Sequence, residues 1–114
     1  MKVTYGAVAR HSGYWISVIL DLPERSKADR AQGSQFKSFL KQRGFQMLQP
    51  SLYLKFAFTE ASAKSACESV LKFSPKKGKM TVLRMTDLQF QCGNRIVRGK
   101  ISPMPAPRSL ITIV

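Results

Sequence analysis

The chain has 114 residues, 44% of them hydrophobic, with 19 Lys or Arg against 6 Asp or Glu, a formal net charge of +13. That length carries one domain and no second core, and that apolar content belongs to a folded globule rather than a disordered basic tail. Two cysteines, Cys67 and Cys92, and the single His11 supply neither a disulfide framework nor a four-ligand metal knuckle.

Residues 1–13 mix charge, Gly and Ser without a period and read as an N-terminal extension. Tyr14 to Asp21 (YWISVILD) is rich in β-branched and aromatic residues and apolar on both faces, which predicts a central strand stopped by Leu22 and Pro23. From about Lys27 to Arg43 the apolar positions Ala28, Ala31, Phe36, Phe39 and Leu40 recur at three- and four-residue steps. This is an amphipathic helix closed by Gly44.

Phe45 to Phe58 predicts a second β region, broken or bulged at Pro50. Thr59 is a suitable N-cap for a helix reaching about Phe73, with Ala63, Ala66, Cys67, Val70 and Leu71 as its buried stripe. Pro75 and Gly78 punctuate its end. Met80 to Asp87 (MTVLRMTD) alternates as a strand, and Arg95 to Val97 reads as a short strand after the Gly93-Asn94 turn signal.

The order βαββαβ predicts an α+β, ferredoxin-like antiparallel sheet with both helices on one face, spanning residues 14–100. Residues 101–114 then form a Pro-rich linker and a strand-forming LITIV tail suited to pairing with a sheet edge, within the chain or in a partner. The longest apolar run, Trp15 to Leu20, falls short of the roughly 20 residues that span a bilayer, and no signal-peptide pattern opens the chain. A cytoplasmic protein without membrane attachment is expected.

Asp21 stands out among the acids because it closes an apolar strand at a β-to-α loop, where sheet proteins place functional groups. An exposed strand-end aspartate accepting turn hydrogen bonds is the plainer alternative. One carboxylate is a poor Mg²⁺ site, but two copies brought together by a twofold axis would be a better one. Asp87 could join such a site or simply form a turn before Leu88.

His11 has no Ser or Cys partner at a useful spacing, so a nucleophilic triad lacks support. The basic residues cluster: Arg25, Lys27 and Arg30 at the first helix; Lys37, Lys41 and Arg43 later on it; Lys76, Lys77 and Lys79 in the PKKGK loop; Arg95, Arg98 and Lys100 near the end. With so few acids to balance them, they call for a polyanion, and nucleic acid suits better than lipid. Phe45, Tyr53, Phe56 and Phe58 could stack bases, although an apolar β segment favours core packing.

Taken in order, VILDLP, GFQMLQPSLYL, PKKGK and VLRMTDLQF resemble the CRISPR-associated Cas-two family, the small ferredoxin-like partner of the spacer integrase, especially its type II members. The resemblance covers about Trp15 to Lys100. It implies a homodimer in which Asp21 meets its symmetry mate and binds a divalent metal such as Mg²⁺, and it matches Ser51 to the serine of the family's Q-x-S segment and Tyr53 to the adjacent aromatic position. It departs where Leu20 precedes the aspartate and where Pro50 replaces a frequent aromatic.

What the resemblance implies about function falls into two classes. One is a Mg²⁺-dependent endonuclease on RNA or double-stranded DNA with Asp21 as its catalytic carboxylate. The other is a non-catalytic dimer that grips the prespacer duplex for the integrase, with Arg25, Lys27, Arg30, Lys76, Lys77 and Lys79 on the phosphates. A free-standing single-stranded RNA-binding module with no CRISPR role is the remaining alternative.

Overall fold

A computed structural model describes residues 13–107; His11, the N-terminal extension before Gly13 and the LITIV tail lie outside the described residues. The chain runs β1 (Tyr14–Asp21), α1 (Lys27–Gln42), β2 (Gln46–Gln49), β3 (Leu52–Ala57), α2 (Glu60–Lys72), β4 (Lys79–Thr86), α3 (Asp87–Gln91), β5 (Arg95–Val97) and β6 (Lys100–Ser102). The first four strands form one antiparallel sheet in the order β2-β3-β1-β4, and β5 with β6 makes a separate hairpin. This is the ferredoxin-like α+β plan expected from the order of elements. Among the described residues no helix is long and apolar enough to cross a membrane.

β1 lies in the centre because both its faces have something to bury. Ile16, Val18 and Leu20 turn toward the helices and join Tyr53, Ala57, Phe36, Leu40, Phe45, Ala63 and Val70 in the main core. Trp15 turns the other way, where a smaller cluster packs it with Leu54 and Phe90, flanked by Phe56, Met85 and Met104. The period-two alternation of a strand thus feeds two cores from one segment.

The helices begin where the sequence supplies caps. The Ser26 hydroxyl accepts from the Asp29 amide at 3.0 Å to open α1, and Thr59 accepts from the Ser62 amide at 3.0 Å to open α2. α1 ends at Arg43, and Gly44 follows at φ +90°, the left-handed conformation that glycine adopts without a Cβ penalty. The stripe expected on α2 holds for Ala63 and Val70, but Leu71 is 57% exposed. It sits about 100° round the helix from Val70 and so leaves the sheet.

Pro50 does interrupt the second β region, in two ways. Pro50 and Ser51 form the two-residue turn between β2 and β3, with Ser51 at φ +71°, and the register also shifts between Met47 and Gln49. Proline followed by a residue of positive φ is type II turn chemistry. The aromatics expected in the core divide: Phe45 and Tyr53 are buried, Phe56 is half-buried, and Phe58 is 67% exposed against the edge of Phe56.

The largest departure from expectation comes at the end of β4. The strand stops at Thr86, whose hydroxyl accepts from the Gln89 amide while the Gln89 side chain accepts from the Thr86 amide, a reciprocal cap for α3. Asp87 therefore opens a helix rather than forming a turn before Leu88. It is 3% exposed and accepts from Trp15 Nε1 at 2.7 Å and from Gln91 Nε2 at 3.2 Å. The strand β6, unforeseen from composition, pairs with β5 across Arg98 and Gly99, both at positive φ as a tight hairpin turn requires.

Candidate functional site

Asp21 is the last residue of β1, on the sheet face turned away from the helices, opposite Lys79 of β4. Its side chain is exposed, and among the described residues no hydrogen bond or ion pair holds its carboxylate. Beside it on the same face, Ile19 is 42% and Leu83 43% exposed, so this half of the sheet is left open among the described residues. The other half, around Trp15, is the covered one.

The PKKGK turn presses against this strand end. A Cβ on Gly78, at φ +87°, would stand 2.5 Å from the Asp21 carbonyl oxygen and 3.0 Å from Leu22 Cα. Lys77 Nζ reaches Asp29 Oδ1 of α1 at 3.4 Å, the single ion pair among the described residues. Arg30 Nη1 donates to the Glu24 carbonyl at 3.1 Å and so braces the loop between β1 and α1. These contacts bring the loop after Asp21, the start of α1 and the PKKGK turn to one end of the sheet.

All six basic residues expected to meet a polyanion are exposed: Arg25, Lys27, Arg30, Lys76, Lys77 and Lys79. Two are partly committed, Lys77 to Asp29 and Arg30 to the Glu24 carbonyl. The surface is thus basic, preformed and adjacent to an unpartnered carboxylate. Asp87 has no part in it, since it follows the end of β4 that pairs with Tyr14, at the far end of the sheet.

Among the described residues no group of three or more His, Cys, Asp or Glu is arranged to hold a metal ion. A single carboxylate falls short of the near-octahedral oxygen ligation that Mg²⁺ demands, so one chain alone does not fit the ion. An exposed, unpartnered Asp21 on an uncovered face is suited to be one half of a shared site.

A family model described as the PaaX protein central Cas2-like domain matches residues 9–88. The chain is 36% identical over 77 residues to the CRISPR-associated endoribonuclease Cas2 of Paracidovorax avenae, covering 68% of this chain and 71% of that one. The chain belongs to the Cas2 family. The protein of the same name from Flavobacterium psychrophilum is 31% identical over 86 residues, 75% of each chain. That from Ligilactobacillus salivarius is 28% identical over 98 residues, 84% of this chain and 97% of its own.

The two remaining positions expected from the resemblance, Ser51 and Tyr53, part company. Ser51 lies close to the strand end, and its carbonyl accepts from the Leu20 amide at 2.8 Å, extending the ladder to the residue before Asp21. Its contribution there is through the backbone. Tyr53 pairs with Val18 on the helix-facing side, is 2% exposed, and lies in the main core. Burial pushes its phenol above the usual tyrosine range, as expected of a packing residue.

One polar group escaped the reading of the sequence. Lys55 interrupts the apolar run LYLKFAF of β3 at a register position facing the helices, opposite Ile16. Burial, and then the charge of Arg43, holds its ammonium below the ordinary lysine range. The available signal was a lysine on the core side of an alternating strand, a position such residues rarely take without a partner.

Proposed function

We propose that this Cas2-family chain acts in the cytoplasm in CRISPR spacer acquisition, as a homodimer that grips duplex DNA for the integrase. The observation that carries this reading is the convergence of exposed basic side chains at one sheet end beside an apolar, uncovered sheet face. Two copies meeting through the Ile19 and Leu83 face would cover that apolar surface and bring two Asp21 residues and two basic ends together. The doubled positive charge suits a phosphate backbone held without reading bases.

Binding measured across a salt series tests this. The logarithm of affinity for a duplex should fall with the logarithm of salt at a slope of roughly −0.9 per phosphate neutralised. A flat dependence, or a sedimenting monomer that prefers single-stranded RNA, would favour the free-standing RNA-binding module instead.

A second reading has its own observation, the exposed and unpartnered Asp21, together with relatives named endoribonucleases. Here Asp21 of each protomer would hold Mg²⁺, which when bound supplies an activated water and neutralises charge on the scissile phosphate. Asp21→Asn should then abolish Mg²⁺-dependent cleavage of RNA or double-stranded DNA while leaving duplex affinity within about twofold, since it removes no phosphate contact. Cleavage that survives in the purified variant rejects the nuclease and leaves the scaffold standing.

A further inference from the structure

A second polar site lies on the other face of the sheet and toward its other end. Lys55 sits opposite Ile16, five residues before Asp21 on β1, which is roughly 17 Å along a strand. Above it α2 presents Ser62, Ser65 and Ser69, three and four residues apart and so on one side of the helix. Between strand and helix is a cavity of about 200 Å³ lined by these three serines, Lys55, Arg43, Phe45 and Ala66. That is smaller than the roughly 300–1,000 Å³ of sites for drug-sized ligands and suits a single polar group.

The site is built rather than accidental. Lys55 Nζ donates to the Arg43 carbonyl at 2.6 Å, which fixes the ammonium at the cavity wall and leaves it further hydrogens to donate. Gly44, at φ +90°, turns the chain out of α1 toward Lys55, and a Cβ there would meet Lys55 Cε at an ordinary 3.4 Å, so it is the backbone conformation that favours glycine. The Arg43 guanidinium is steadied over the rings of Phe39 and Phe73, at 5.1 and 5.9 Å.

Two features show what is missing. The Ser69 hydroxyl is buried without a hydrogen-bond partner, which is unusual in a native interior and normally marks a group awaiting one. Lys55 and Arg43 stand close enough to repel one another, yet neither is in an ion pair with a carboxylate among the described residues. Two basic residues and three serines lining a small cavity complement an oxyanion bearing more than one charge.

We propose that this pocket binds a phosphate monoester group, either free or at the end of a nucleic-acid strand, through Lys55, Arg43 and the Ser62, Ser65 and Ser69 hydroxyls. A tetrahedral dianion has acceptors enough for all of these donors at once, whereas a phosphodiester within a strand offers one charge and fewer free oxygens. The site is independent of Asp21 and of the role in spacer acquisition.

The test uses the full-length protein labelled with ¹⁵N, titrated at constant ionic strength with inorganic phosphate and then with one oligonucleotide carrying a 5′-phosphate or a 5′-hydroxyl. Saturable shifts of the Ser62, Ser65, Ser69 and Gly44 amides with inorganic phosphate support a free ligand. The same shifts with the 5′-phosphorylated strand alone support a strand end. Lys55→Met, which keeps the stem and removes the charge, should weaken binding roughly tenfold or more. The double variant Ser62→Ala and Ser65→Ala, at exposed positions where folding is not at stake, should weaken it severalfold. No shift with either ligand, equal shifts with the 5′-hydroxyl strand, or full affinity in the serine variant overturns the proposal.

Discussion

Trp15→Phe is expected to destabilise the fold by about 2–3 kcal/mol, more than the lost ring area implies. The indole is wholly buried, stacked on Phe90 at 4.1 Å and edge-on to Phe56 at 5.3 Å, and phenylalanine would keep most of that packing. It would not replace the Nε1 donor to Asp87. The carboxylate would remain buried with Gln91 Nε2 as its remaining side-chain donor, and Gln91 is shared with the Pro105 carbonyl at 2.9 Å. A buried polar group stripped of a partner costs far more than the bond contributed while intact.

Urea unfolding followed by circular dichroism measures this, since the variant lacks the chain's single tryptophan. Adding Asp87→Leu to Trp15→Phe should recover part of the loss, because replacing both partners by apolar groups leaves no orphaned group. A midpoint unchanged by Trp15→Phe would show that the Asp87 contact carries no net stability.

Gly78→Ala is expected to cost at least about 2 kcal/mol and to weaken duplex DNA binding at the same time. Alanine at φ +87° is strained in itself, and its Cβ would fall 2.5 Å from a backbone oxygen of β1 that has no rotamer to escape into. The turn must lift away from Asp21, carrying Lys76, Lys77 and Lys79 with it. Gly33→Ala is the control. A Cβ there meets Leu22 Cδ1 at an ordinary 3.7 Å, and in mid-helix alanine should stabilise by about 0.5–1 kcal/mol. Gly78→Ala with unchanged stability and DNA affinity would separate the turn from the basic surface.

The parts legible in the sequence were those set by local rules. The central strand Tyr14–Asp21, the Thr59 cap of α2, the Gly44 end of α1, the break at Pro50 and the basic clusters all follow from alternation, capping chemistry and turn residues within short windows. Leu71 and Phe58 were misjudged because an apolar residue at the margin of a helix stripe or the end of a strand is buried only if the next element extends that far. Asp87 was misjudged for a longer-range reason. Its partner, Trp15, is 72 residues away in sequence, and no local pattern joins them.

The candidate sites divide the same way. Asp21 and its basic neighbours could be named from the sequence because strand-end position and charge are one-dimensional properties. Their convergence could not, since it depends on Gly78 packing against Asp21 and Lys77 reaching Asp29 across the fold. Lys55 was passed over because its meaning lies wholly in the register that sets it beneath three serines of α2 and beside Arg43. By itself, then, the sequence determined the βαββαβ order of the first six elements, the Thr59 cap and the excess of +13. Which charges stand together, which face is bare and which carboxylate is buried were decided only by tertiary packing, because those facts arise between residues that the chain holds far apart.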